Sequence, residues 1–271
     1  MTSIAFIGGG NMASCLIGGM INNGFNRQQI IVSEPGKEAR EKIGGQYGIS
    51  TTESNRAAVA ESDLIVLAVK PQVMRDVATD LAPALKHKPL VISIAAGIPA
   101  SALQHWMGKD LAVVRAMPNT PAMKLTGATG LFANPQVNQH QKALAEKIFQ
   151  AVGVAEWVAS EQLIDAVTAV SGSGPAYFFL FMEIMQRIGE ELGLSERVAQ
   201  EFTLQTALGA ARMAIESDNS PGELRAQVTS PGGTTERAIS NFQQAGLEDI
   251  FRQAMQDAMN RAREMSDDFS D

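Results

Sequence analysis

Short apolar runs separated by stretches of helical periodicity fill the first half of the chain, and helical periodicity alone fills the second. Runs at Ile4–Ile7, Ile30–Ser33, near Ile49–Thr51, Leu64–Val69, Leu90–Ile94, Ala112–Met117 and Gly130–Ala133 predict strands. Between them, Met12–Asn23, Glu38–Gln46, Arg56–Glu61, Gln72–Leu85, Ala100–Met107 and Gln139–Ala151 predict helices. Strands such as Leu64-Ile65-Val66-Leu67-Ala68-Val69 are apolar without alternation, as strands covered on both faces must be. From Glu161 onward the strand signal stops. Helices are predicted over Glu161–Val170, Ala176–Leu192, Ser195–Glu216, Gly222–Thr229, Thr234–Ala245 and Leu247–Asp268. Ser195 with Glu196 reads as a helix start, and Gly193 and Gly246 read as helix ends.

Alternating strands and helices followed by helices alone predict an α/β fold. It has an N-terminal Rossmann-type doubly wound sheet over residues 1–160 and an all-α C-terminal substrate and dimerisation domain over residues 161–271. The helix Ala176–Leu192 carries Tyr177 to Met182 in succession and is apolar all round, which in so small a helical domain predicts a subunit interface.

At 271 residues and 45% hydrophobic, the chain can bury a full core. Its net charge of -7 argues against a nucleic-acid partner. The single cysteine, Cys15, excludes a disulfide framework and a cysteine-based metal site, and no metal is expected. Its place inside the first helix reads as a buried small hydrophobe. A chain opening on a strand leaves no room for a signal peptide, and Ala166–Met182 reads as too short and too broken by Ser171-Gly172-Ser173-Gly174-Pro175 to span a membrane. The expectation is a cytoplasmic protein.

The candidate chemistry begins at Ile7-Gly8-Gly9-Gly10-Asn11-Met12-Ala13, a Gly-x-Gly-x-x-Ala turn between the first strand and the first helix. Gly8 suits the tight turn and Gly10 lets a pyrophosphate approach the backbone. Small Ala13 lets the helix pack close, with its first N–H groups toward the phosphates. Strand two ends at Ser33-Glu34-Pro35-Gly36, where an acid takes the adenosine ribose hydroxyls and favours NAD. Lys37 and Arg40 follow within one turn and could instead bind a 2′-phosphate. Asn55 is placed toward the adenine. Strand four ends at Ala68-Val69-Lys70-Pro71, at the lip of the cleft, and strand five at Ile94-Ala95-Ala96-Gly97, small enough for a ring to lie against the backbone. Arg115-Ala116-Met117-Pro118-Asn119-Thr120-Pro121 predicts a rigid shaped wall. Two clusters, Ser171–Ala176 and Thr229–Thr235, each precede a predicted helix and would seat a small carboxylate on free N–H groups.

No lysine follows Lys147 and no histidine follows His140. Alcohol–ketone dehydrogenases need a group that moves the hydroxyl proton, and the helical half offers neither residue. Glu183, Glu190 and Glu191 read as surface or packing charges. A carbon–nitrogen double bond relaxes the demand, because its basic nitrogen is protonated without a placed acid, and a hydroxyl such as that of Thr235 could orient it. The absence points to imine reduction.

Taken together, Phe6-Ile7-Gly8, Gly10-Asn11-Met12, Ala68–Pro71, Ser93–Gly97, Arg115 with Met117–Pro121, Asp165–Thr168, Ser171–Tyr177 and Ser230–Thr235 resemble the pyrroline-5-carboxylate reductases over nearly the whole chain. The resemblance implies NAD(P)H-dependent reduction of 1-pyrroline-5-carboxylate to L-proline, the last step of proline biosynthesis, with NADPH preferred and NADH usable. It implies that Gly8, Gly10, Asn11 and Met12 hold the pyrophosphate and that Asn55, Val69 and Lys70 line the adenosine and ribose side; Glu34, Ala68 and Pro71 are read as cofactor-binding beside them. Ala95 and Ala96 then lie along the nicotinamide, Gly233, Thr234 and Thr235 grip the substrate carboxylate beside Ser173, and the Thr235 hydroxyl addresses the ring nitrogen. A homodimer, able to associate further, is implied, with the substrate turn supplied by either subunit. Glu34 departs from relatives that carry a neutral residue there. Two other readings are a hydroxyacid dehydrogenase, which would need a lysine in the helical half, and a non-catalytic NAD(P)-sensing module.

Overall fold

A computed structural model describes residues 2–269. The described residues of 1–173 and 257–271 form one compact unit, and residues 174–256 form a second.

The first unit is built on an eight-stranded sheet of order β3-β2-β1-β4-β5-β6-β7-β8. Its strands are β1 (Ile4–Ile7), β2 (Ile30–Ser33), β3 (Ser50–Thr52), β4 (Leu64–Leu67), β5 (Leu90–Ser93), β6 (Ala112–Met117), β7 (Gly127–Ala133) and β8 (Gly153–Trp157). All pairings are parallel except β6 with β7. Helices α1 (Asn11–Asn22), α2 (Lys37–Tyr47), α3 (Asn55–Val59), α4 (Pro71–Leu81), α5 (Ala100–Met107) and α6 (Gln139–Gln150) cover its two faces. Alternate residues of the central strands therefore enter opposite cores. Ile4 and Phe6 pack with Leu16, Ile17 and Phe149, while Ala5 and Ile7 pack with Met74, Leu81 and Leu103.

The sheet differs from the sequence expectation at one edge. β8 was not predicted, because Gly153-Val154-Ala155-Glu156-Trp157 leaves Val154 62% exposed and buries chiefly Ala155, giving no apolar run. β7 starts three residues earlier than expected, through Gly127, whose Cβ position lies 2.9 Å from Ala122 Cβ. Only glycine fits there.

A second difference lies at Ser171-Gly172-Ser173-Gly174-Pro175, expected to break the chain. Helix α7 (Leu163–Val167), a π-helical segment (Thr168–Gly172) and α8 (Gly174–Glu191) instead run without interruption from Leu163 to Glu191. The Ser173 N–H donates to Thr168 O at 2.8 Å, the wide-turn bond that absorbs the extra residue. Pro175 has no N–H to offer the Ser171 carbonyl four residues earlier, and that carbonyl accepts from Asn119 Nδ2 instead. This run is long and apolar enough, by length and composition alone, to cross a membrane, which corrects the expectation of a segment too short and broken to do so.

In the second unit, α9 (Glu196–Glu216), α10 (Pro221–Gln227), α11 (Thr234–Gln244) and the first part of α12 (Leu247–Asp267) join α8. The Phe181 and Phe251 rings stack at 5.5 Å. Phe178, Phe179, Leu180, Phe202, Leu208 and Ile215 are all more than half exposed in the single chain. So broad an apolar surface marks an association face.

Candidate functional site

Strand register builds the nucleotide side of the site. Ile7 pairs with Ser33 and with Leu67, and Leu67 pairs with Ser93, so Gly8, Glu34, Ala68 and Ile94 leave the sheet side by side on one edge. Gly8 has φ +99, and a Cβ there would lie 2.8 Å from Ala68 O. No other residue can make that turn without moving β4. Gly10 caps α1 with no atom within 4 Å of its Cβ position, leaving open space above the loop. The first N–H groups of α1, from Asn11 and Met12, have no acceptor inside the helix and carry its positive end. Ala13 is buried beneath them. The geometry fits a dinucleotide pyrophosphate.

Glu34 folds back across this loop. Its Oε2 accepts the Gly9 N–H at 2.9 Å and its Oε1 accepts the Gly36 N–H at 3.0 Å. Arg40 is drawn inward, donating to Glu34 O (2.7 Å) and Pro35 O (3.1 Å) and pairing with Glu53 at 3.5 Å. Lys37 remains exposed beside Glu41. Asn55 is the first residue of α3, and its Oδ1 accepts from Ser33 Oγ at 2.7 Å, which ties it under the end of β2. Lys70 caps α4 and Pro71 opens it, with Val69 half-buried at the same edge.

At the end of β5, Ala95 is buried and its N–H donates to Ser93 Oγ at 3.3 Å; Ala96 is half-buried. Gly97 (φ +73) then presses on α12, where a Cβ would lie 2.8 Å from Met265 Cβ. The turn after β6 is rigid for a specific reason. Buried Asn119 accepts from Ala128 N at 2.9 Å and donates to Ser171 O at 3.0 Å, so it reads the π-helical segment directly.

Beside β6 lies a polar cavity of about 320 Å3 that no local sequence motif announces. Arg115, 5% exposed, pairs with Glu161 at 3.0 Å, and Asp165 lies 3.8 Å from Arg263. Burial pushes the Asp165 carboxyl above the usual carboxylate range, against the pull of Arg115 and Arg263 and with help from Glu161 and Asp267. A lone arginine inside Ala112-Val113-Val114-Arg115-Ala116-Met117 was the available signal, since a buried guanidinium requires a partner. Cys15 is half-buried against the core, and burial raises its thiol pKa. Among the described residues, no group of three or more His, Cys, Asp or Glu could hold a metal ion.

In the second unit, the turn before α11 keeps the expected form. Gly232 has φ +74 and donates its N–H to Glu236 Oε2 at 2.8 Å. Gly233 caps α11 and gives its own N–H to Ser230 O at 3.0 Å, so Thr234 and Thr235 head the helix as its first N–H donors. The Ser171–Ala176 cluster does not share this form. Its Ser173 N–H is spent on Thr168 O, and α8 opens at Gly174 directly after the π-helical segment.

Known proteins match along the same lines. Residues 161–265 match the family model for pyrroline-5-carboxylate reductase dimerisation, and residues 3–97 match the model for NADP oxidoreductase, coenzyme F420-dependent. A pyrroline-5-carboxylate reductase of Pseudomonas aeruginosa is 54% identical, covering 97% of each chain. A solved pyrroline-5-carboxylate reductase from Coxiella burnetii superposes with a TM-score of 0.94 at 46% identity, over 98% of each chain. A Plasmodium falciparum pyrroline carboxylate reductase, solved with NADP bound, gives 0.86 at 28% identity over 98% of each chain. The chain belongs to the pyrroline-5-carboxylate reductase family.

Proposed function

We propose that the protein reduces 1-pyrroline-5-carboxylate to L-proline, the last step of proline synthesis, as a cytoplasmic homodimer using NADPH, with NADH as a usable substitute. When bound, the reduced nicotinamide supplies the hydride that the imine carbon receives. Gly8, Gly10, Asn11 and Met12 hold the pyrophosphate on main-chain donors, and Glu34, Asn55, Ala68, Val69, Lys70 and Pro71 border the adenosine and ribose. Ala95 and Ala96 offer a small-residue wall against which a flat ring is oriented and water excluded.

The substrate carboxylate is assigned to the turn Gly233-Thr234-Thr235, where the Thr234 and Thr235 N–H groups stand at the positive end of α11. The Thr235 hydroxyl orients the ring nitrogen, which carries its own proton from solvent, and Ser173 is assigned to substrate binding through its hydroxyl. The dimer forms through the apolar faces of α8 and α9, and higher assembly is compatible with it.

The reading is carried by one conjunction: an open glycine turn after β1 and a main-chain anion seat before α11, in a chain with no lysine or histidine beyond residue 147. A hydroxyacid dehydrogenase would lack its proton carrier there. The test is oxidation of NADPH, followed by absorbance, with racemic 1-pyrroline-5-carboxylate against pyruvate-type ketoacids. Turnover of the imine alone is expected, and its absence removes the reading.

A further inference from the structure

Helix α5 starts without a cap of its own. Its N-cap residue is Pro99, which has no side-chain acceptor, and the Ala100 N–H is met instead by Glu161 Oε1 at 2.7 Å, from a segment 61 residues away. The same oxygen receives Arg115 Nη1 at 3.0 Å. Arg115 sits on β6 directly across from Ser93, the last residue of β5. The turn Ile94–Pro99 is therefore pinned at both ends. Ile94 N–H bonds Leu67 O at 3.2 Å and Ala95 N–H bonds Ser93 Oγ at the near end, while Ala100 bonds Glu161 at the far end. The polar cavity of about 320 Å3 beside Pro99 and Glu161 leaves the turn room to relax if the far pin is removed.

We infer that the Arg115–Glu161 pair positions the turn that carries Ala95 and Ala96, and through it the nicotinamide ring; this rests on the reading that those alanines face the ring. Glu161 is assigned no contact with cofactor or substrate; its Oε1 accepts from Ala100 N and Arg115 Nη1. Its carboxylate holds the start of α5, and Arg115 holds the carboxylate. The adenosine and pyrophosphate are assigned to other residues, so loosening this turn displaces the reactive ring while leaving the rest of the dinucleotide seated. A displacement near 1 Å at the reacting centre lowers a rate by about a hundredfold, whereas binding of the remote end is unaffected.

The experiment compares two double variants in the full-length protein, because removing Glu161 alone would strand a buried arginine. Arg115→Met with Glu161→Met (R115M/E161M) removes pair and cap together. Arg115→Met with Glu161→Gln (R115M/E161Q) restores an oxygen for Ala100. Expected for R115M/E161M is a fall in kcat of about tenfold or more, with 2′,5′-ADP affinity held within about twofold. The primary isotope effect on hydride transfer rises, and the fluorescence of bound NADPH changes. R115M/E161Q recovers kcat and the native fluorescence. The proposal is overturned if R115M/E161M keeps kcat and fluorescence, if its 2′,5′-ADP affinity falls in step with kcat, or if glutamine gives no rescue. Wild-type protein that binds NADPH but leaves the imine untouched refutes the reading of function instead, and the NADPH fluorescence of the variants then decides the proposal.

Discussion

The Glu34 carboxylate and the Gly9 main-chain N–H lie 2.9 Å apart, so the nucleotide loop is held by an acid from the end of β2. The second oxygen of the same carboxylate occupies the Gly36 N–H. A 2′-phosphate arriving between these donors meets a negative charge already bonded to them, and Arg40 is committed to main-chain oxygens nearby. Ribose hydroxyls, by contrast, can donate to the carboxylate where it stands. Replacing Glu34 with Ser should raise the ratio of kcat/KM for NADPH over NADH by about tenfold, the effect of roughly 1.4 kcal/mol. An unchanged ratio would show that the carboxylate swings clear at no cost.

Asn119 bridges two backbones with one side chain, bonding Ala128 N and Ser171 O. Alanine in its place leaves a largely buried N–H and a carbonyl without partners, at a cost of about 1–3 kcal/mol for each group. Urea unfolding at fixed protein concentration should show a clear loss of stability for Asn119→Ala. A melt matching the parent would mean that water replaces the amide.

Asp165 ties stability to pH. Its folded pKa is raised above the unfolded value by burial, so the protonated carboxyl is the form the fold favours. Its contribution is fully present below the ordinary carboxylate range and is lost as pH rises through the raised value. Asp165→Asn should match the parent in acid and be the more stable protein near neutrality. Thermal melts across that range give the comparison, and an asparagine variant weaker at neutral pH would show that the 3.8 Å pairing with Arg263 outweighs burial.

Thr235→Ala removes the hydroxyl assigned to the substrate nitrogen while keeping the helix start intact. The expected result is a drop in kcat of about tenfold or more with NADPH affinity altered by less than about twofold. Parallel losses in both would take the hydroxyl out of the reaction.

The nucleotide edge was legible in the sequence because its geometry is local. Gly8, Gly10 and Ala13 carry their meaning in one turn, and the apolar strands ordered themselves around it. What escaped depends on partners far along the chain. β8 buries little of its own, and takes its place only because Gly127 and Gly153 let two backbones pair closely. Ser171-Gly172-Ser173-Gly174-Pro175 looks like a stop, yet a π-helical segment carries the helix through it, with Asn119 bonding the carbonyl of Ser171. Glu161 gave no local sign that it caps a helix begun 61 residues earlier.

Gly97 rests on Met265, and Asp165 faces Arg263, so the nucleotide-binding unit includes the last turns of α12. During synthesis, that unit must wait with the turn after β5 unbraced at Gly97 while the whole helical segment 174–256 leaves the ribosome. Disturbing Met265 would therefore first be felt at Gly97, about 170 positions upstream in the order of translation.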